Sequence, residues 1–165
     1  VKEKSVIEDY KKIQEAYAKS QMDIEELKKQ LAQAKGEKEK KQVEAKITDD
    51  ERLFQASQWL EIGYQHWVNK EYDNAIEAYT KAIASNPNYS YAYIVRGYAY
   101  VNRRQYDRAI EDYNKAIAID PNYAEAYNHR GLAHGLSGNM GRAISDFQKA
   151  CDLGNELGCK NSQNL

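Results

Sequence analysis

Three histidines and two cysteines are the side chains in this 165-residue chain best suited to metal binding or nucleophilic chemistry: His66, His129, His134, Cys151 and Cys159. Their spacing does not build a centre. No Cys or carboxylate stands at metal-ligand spacing from His129, so no metal is expected. His66 and His134 lie 68 residues apart, twice a 34-residue step that recurs elsewhere, and read as interface residues. The chain has no Gly-rich phosphate loop, no nucleophile elbow and no His-Glu-x-x-His. Its many Asp and Glu alternate with Lys and Arg on helix faces, where solvation is the default. No enzyme activity and no cofactor are expected. Arg103, Arg104 and Arg108 form a small basic cluster best explained as a solvated turn; with a net charge of -1 and no wider basic face, no nucleic-acid partner is expected.

What remains is architecture. Gly63, Gly97 and Gly131 are 34 residues apart, as are Ala75, Ala109 and Ala143, and Ala82, Ala116 and Ala150. Tyr79, Tyr113 and Phe147 keep the step, and Pro87 and Pro121 repeat it. A fixed period of this length signals an array of like supersecondary units rather than one irregular core. The units run 56–89, 90–123 and 124–157. Each places a large residue at the fourth place (Trp59, Tyr93, Tyr127), glycine at the eighth, and two alanines flanking an aromatic in its second half. That pattern suits two packed antiparallel helices: small residues let backbones approach and large ones fill the space opposite. Asn69-Lys70, Asn102-Arg103 and Ser137-Gly138-Asn139 supply the turns within units, and Asn86-Pro87-Asn88 and Asp120-Pro121-Asn122 those between them.

These residues resemble the tetratricopeptide repeat (TPR): Trp-x2-Leu-Gly-x2-Tyr, followed by Ala, an aromatic, Ala and Pro at set offsets. Arg96 and Arg130 stand where the family often has Leu, His66 and His134 where it often has Tyr, and Asn155 replaces the third proline. The resemblance covers about residues 53 to 163 and implies an all-α fold, a right-handed solenoid of three helix pairs closed by a cap helix near 156–163. It also implies a concave groove lined by the first helix of each unit. The residues placed there as peptide-binding are Leu60, Tyr64, Trp67, Tyr91, Ile94, Val95, Tyr98, Asn102, Asn128, His129 and Leu132. An apolar, aromatic surface of this kind marks an interaction site. The Lys, Asn and Arg clamp of TPR domains that bind acidic chaperone tails is absent, since Leu60, Tyr64, Val95, Glu125 and His129 stand there. The expected partner is a protein, bound as an amphipathic helix or extended peptide. Alternatively, the chain's own N-terminal helix covers these residues, or they are partly buried between units.

Residues 1–47 differ in composition, with dense Lys and Glu and no proline. Val6, Ile13, Ser20, Leu27 and Ala34 fall on one heptad position, and Tyr10, Tyr17, Ile24 and Leu31 on the other. The seam is expected to be a coiled coil that makes the protein a homo-oligomer through residues 1–34; the alternative is one amphipathic helix packed on the repeats. Lys38 and Lys41 break the seam, so Gly36 to Lys46 reads as a frayed helix or a hinge. Thr48-Asp49-Asp50-Glu51 reads as a capping box that starts a new helix, placing the second domain at 48–165.

Cys151 and Cys159 flank the turn into the cap helix. Antiparallel helices across a tight turn can bring Cα atoms within disulfide range. The segment also resembles the Cys-x7-Cys of Sel1-like repeats, whose secreted bacterial members carry such a bridge. The alternative is two small, reduced hydrophobes in a cytosolic helix interface. A bridge would imply an oxidising, extracytoplasmic (periplasmic) location. No apolar run approaches the ~20 residues of a membrane span, and Val1 suggests a trimmed product with a segment missing upstream. The arrangement is similar to bacterial envelope proteins that join a trimerising coiled coil to a TPR domain, with scaffold or adaptor, self-assembling structural protein and self-occupied switch as the functional readings.

Overall fold

The computed structural model describes residues 2–163, with side chains from Lys11 onward. The helices are α1 (Lys2–Gln33), α2 (Glu37–Val68), α3 (Tyr72–Ser85), α4 (Ser90–Asn102), α5 (Tyr106–Ile119), α6 (Ala124–Leu136), α7 (Met140–Asp152) and α8 (Glu156–Gln163). There is no strand among the described residues.

Each helix packs on the next in sequence, and α2, α4, α6 and α8 also touch one another in turn, whereas α3, α5 and α7 do not. Contact on one side and separation on the other is what bends a stack of helix pairs into a superhelix with a concave inner face. The close approach is set by glycine. A Cβ on Gly97 would lie 2.6 Å from the Tyr113 ring, one on Gly63 would meet Tyr79, and one on Gly131 would lie 2.8 Å from Phe147. The period seen in the sequence is therefore a contact: each first helix rests its glycine on the aromatic of the second. Between units, Tyr93 and Tyr127 donate through their hydroxyls to the Pro87 and Pro121 carbonyls, each at 3.1 Å.

The first helices end alike. Lys70 and Arg104 take left-handed backbone (φ 62° and 58°), and Gly138 takes φ 86°. In the first turn Lys70 N–H donates to the Trp67 carbonyl and Glu71 N–H to that of His66, which satisfies the last carbonyls of α2. The second turn is Arg103-Arg104, one residue later than expected, because Asn102 completes α4.

The helix start expected at Thr48 is not there. Helix α2 runs without a break from Glu37, with Gly36 as its extended N-cap residue. Thr48 sits inside the helix, and its hydroxyl donates to the Glu44 carbonyl at 3.0 Å rather than capping anything. Of the two readings of Gly36 to Lys46, the solvated helix is the one found, unbroken rather than frayed: it is the first third of α2, exposed except at Val43, and the chain reverses at Ala34–Gly36. Helices α1 and α2 form an antiparallel hairpin.

Candidate functional site

The concave face is built by α2, α4 and α6, and the chain's own α1, packed along α2, reaches that face with the side chains of Lys12 and Ile13. Ile13 is 2% exposed and belongs to the same buried cluster as Ala56, Leu60, Tyr91 and Val95. Lys12 Nζ reaches Glu125 Oε1 of α6 at 3.7 Å, and Gln14 donates to Glu61 Oε2 of α2 at 3.5 Å. The Tyr17 ring stacks on Phe54 at 4.8 Å. Sequence spacing explains the geometry: residues 13, 17, 20 and 24 recur at helical steps, so one face of α1 presents Ile, Tyr, Ser and Ile together. Ser20 is buried there, its hydroxyl returned to the Ala16 carbonyl at 3.0 Å.

The inner-face residues thus differ from a solvent-facing lining. Leu60, Tyr91, Val95 and His129 are buried; so are Ile94, in the cluster of Ala109, Tyr113 and Ala126 between repeats two and three, and Asn128. Asn128 accepts a hydrogen bond from Asn161 of the cap helix at 2.9 Å. Tyr64, Trp67 and Tyr98 are half-buried, while Asn102 and Leu132 are exposed. Beyond α1, Leu132, Leu136, Met140 and Phe147 frame a cleft of about 300 Å³ at the C-terminal end of the face. Of the heptad residues, Ile13 and Ile24 are buried in the hairpin, Tyr17, Leu27 and Leu31 are half-buried, and the side chains of Val6 and Tyr10 lie outside the described residues.

His129 lies 4.2 Å from the Tyr98 ring and 6.0 Å from Tyr113. Burial drives its pKa down to about 3, with the Lys12 ammonium pushing the same way, so it is neutral near pH 7. His129 Nδ1 and Trp67 Nε1 are buried without a hydrogen-bond partner among the described residues. His66 pairs with Glu71 at the first turn and holds that carboxyl below its usual range. His134 is buried, and burial lowers its pKa. Among the described residues, no three or more His, Cys, Asp and Glu side chains come together in a group that could hold a metal ion.

Two ion pairs escaped the sequence reading. Arg96 bonds Asp112 through Nε (2.8 Å) and Nη2 (2.7 Å), and Arg130 bonds Asp146 with the same two distances. The signal was present: the second and third units carry Arg and Asp sixteen residues apart, where the first has Ile62 and Ala78. Cys151 and Cys159 form a disulfide with Cα atoms 4.5 Å apart, tying α8 to α7.

Family models described as TPR repeat and tetratricopeptide repeat match residues 97–138, 78–111, and 59–89 with 124–153. No curated protein matches the chain. Among solved structures, the TPR domain of Arabidopsis OM64 is similar with TM-score 0.65 and 25% identity, over 68% of this chain and 95% of that one. The second TPR domain of human RPAP3, solved with HSP70 peptide SGPTIEEVD, gives 0.64 and 28% over 68% and 96%. MamA gives 0.58 and 31% over 65% and 68%. With glycine, alanine and aromatic contacts repeating in register through the matched segments, this chain belongs to the tetratricopeptide repeat family.

Proposed function

We propose that this protein is an interaction adaptor that takes a helical segment of a partner protein on its concave face, in competition with its own α1. The observation that carries the reading is the burial of Ile13 beside Leu60, Tyr91 and Val95: an amphipathic helix already seats an apolar side chain there. The human RPAP3 domain, similar in fold, is solved with a peptide bound. A tethered α1 acts at an effective concentration in the millimolar range, so an outside helix must outcompete an intramolecular one. No enzymatic step is assigned.

The test uses the full chain and a fluorescent synthetic peptide of residues 2–33 as probe. Burying an isoleucine side chain is worth about 1.5–3 kcal/mol, so Ile13→Asp is expected to tighten probe binding roughly 10- to 100-fold over the parent. Equal affinities in the two proteins would sink the reading.

The heptad face supports a second reading. Ile13, Ser20 and Ile24 are buried where α1 lies along α2, so self-association through residues 1–34 goes by exchange of α1 between copies about Gly36. Light scattering on the full chain then shows a multimer of 19.0 kDa, and Ile13→Asp returns it to one.

The Cys151–Cys159 bridge supports an oxidising, extracytoplasmic compartment. No helix among the described residues is long and apolar enough to cross a membrane. Thiol labelling of protein taken directly from its native compartment is expected to find no free thiol; two reactive thiols per chain would withdraw the compartment.

A further inference from the structure

Resting on the proposed competition between α1 and a partner, the geometry points to the class of helix that competes: a basic-edged amphipathic helix carrying Lys-Ile-Gln-x-x-Tyr or its chemical equivalent, selected by the carboxylates of Glu61 and Glu125.

Helix α1 serves as a template for that ligand. Its apolar anchor, Ile13, enters the cluster with Leu60 and Val95. The residue before it is a cation 3.7 Å from Glu125, and the residue after it is an amide donor 3.5 Å from Glu61. Four residues on, one helical turn, an aromatic ring stacks on Phe54 at 4.8 Å. Anchor and aromatic share a face, while the polar pair flank the anchor and reach carboxylates on two different helices, α2 and α6. A segment of opposite polarity at the flanking positions would set carboxylate against carboxylate.

The floor beneath supplies no positive charge to reverse this. His129, the basic side chain among the inner-face positions, is buried and neutral near pH 7, and the charged residues there are Glu61 and Glu125. An acidic peptide therefore meets two carboxylates and no cation. SGPTIEEVD, the peptide with which the similar human RPAP3 domain is solved, is acidic at its C-terminal end and would set its carboxylates against these two. Exposed ion pairs add little affinity on their own, so the apolar anchor sets strength and the carboxylates set choice of partner and register.

The experiment uses full-length Ile13→Asp, in which the face is opened, and three probes: the 2–33 peptide, the same peptide with Lys12→Glu, and SGPTIEEVD. Charge reversal is expected to weaken binding about 5- to 10-fold at low salt, with the difference shrinking at 0.5 M salt as screening rises. Adding Glu125→Lys to the protein, at a half-buried position, is expected to invert the order of the first two peptides. The acidic peptide is expected to bind at least tenfold more weakly than the parent peptide. Equal binding of the two 2–33 peptides, no inversion by Glu125→Lys, or preference for SGPTIEEVD overturns the inference while the adaptor reading stands. Failure of all three peptides to bind the opened protein overturns the adaptor reading itself.

Discussion

Replacing Arg96 with alanine is expected to destabilise the fold by about 3–5 kcal/mol, because it strands a buried carboxylate. Asp112 is only 6% exposed, and both its oxygens are taken by Arg96. The third arm of the guanidinium, Nη1, donates to Thr80 Oγ1 at 3.0 Å, so the side chain also ties α4 to α3 of the preceding unit. Arg130 repeats the arrangement with Asn114 Oδ1 at 2.7 Å. Burial pushes the Asp112 carboxyl upward and the Arg96 hydrogen bonds pull it back. Without Arg96 the upward push is unopposed, so the folded protein binds the proton more tightly than the unfolded chain does. The deficit of Arg96→Ala is then largest at neutral pH and shrinks as pH falls toward the carboxyl's raised pKa. The first unit shows the alternative, with Ile62 and Ala78 at the same two places. The double variant Arg96→Ile with Asp112→Ala removes both charges together, and is expected to lie within about 1 kcal/mol of the parent. Urea denaturation of the three proteins measures this; a loss below about 1 kcal/mol for Arg96→Ala would show that the carboxylate is not effectively desolvated.

The same comparison shows what the sequence does and does not disclose. The helix pairs were legible because their period is a physical contact, glycine against ring, repeated three times in register. The Arg–Asp pairs were legible in principle, since both residues change together between the first unit and the others. The seat of α1 was not. An apolar stripe through Ile13, Tyr17, Ser20 and Ile24 says that a helix buries one face; it does not say whether a partner copy, α2 or the concave surface covers it. The choice depends on the reversal at Ala34–Gly36, which lays α1 back on α2 and carries Ile13 to the level of Leu60. The capping box misled for a related reason. Thr-x-x-Glu closes a helix start only where the chain has been broken, and no proline or glycine lies between Glu37 and Thr48 to break it. Six of the inner-face residues, Leu60, Tyr91, Ile94, Val95, Asn128 and His129, are buried, as the alternative of a covered or inter-unit surface expects and a solvent-facing lining does not.

Two glycine-to-alanine changes, both within first helices, are expected to act with opposite signs. In a helix interior alanine is favoured over glycine by about 1 kcal/mol on propensity alone. At Gly135 that gain is open, since the new Cβ would meet only the Ala143 Cβ at 3.8 Å, an ordinary contact. At Gly97 the Cβ would fall 2.6 and 2.8 Å from two Tyr113 ring carbons. The ring has nowhere to retreat: Tyr113 is 1% exposed and packed with Ala109, Ala116 and Ala126. Relief must come from α4 moving off α5, and overpacking of this kind typically costs about 1–3 kcal/mol, enough to cancel the propensity gain and reverse its sign. Thermal unfolding should therefore rise for Gly135→Ala and fall for Gly97→Ala, with the stability change at Gly97 the larger in magnitude. The movement forced at Gly97 also shifts Tyr91 and Val95 on the same helix, which seat Ile13. Gly97→Ala should accordingly loosen α1 as well, seen as earlier proteolysis between α1 and α2, while Gly135→Ala leaves that hairpin intact. If both variants gain stability, the glycine period reflects sequence drift from a common unit rather than a required approach of helix to ring.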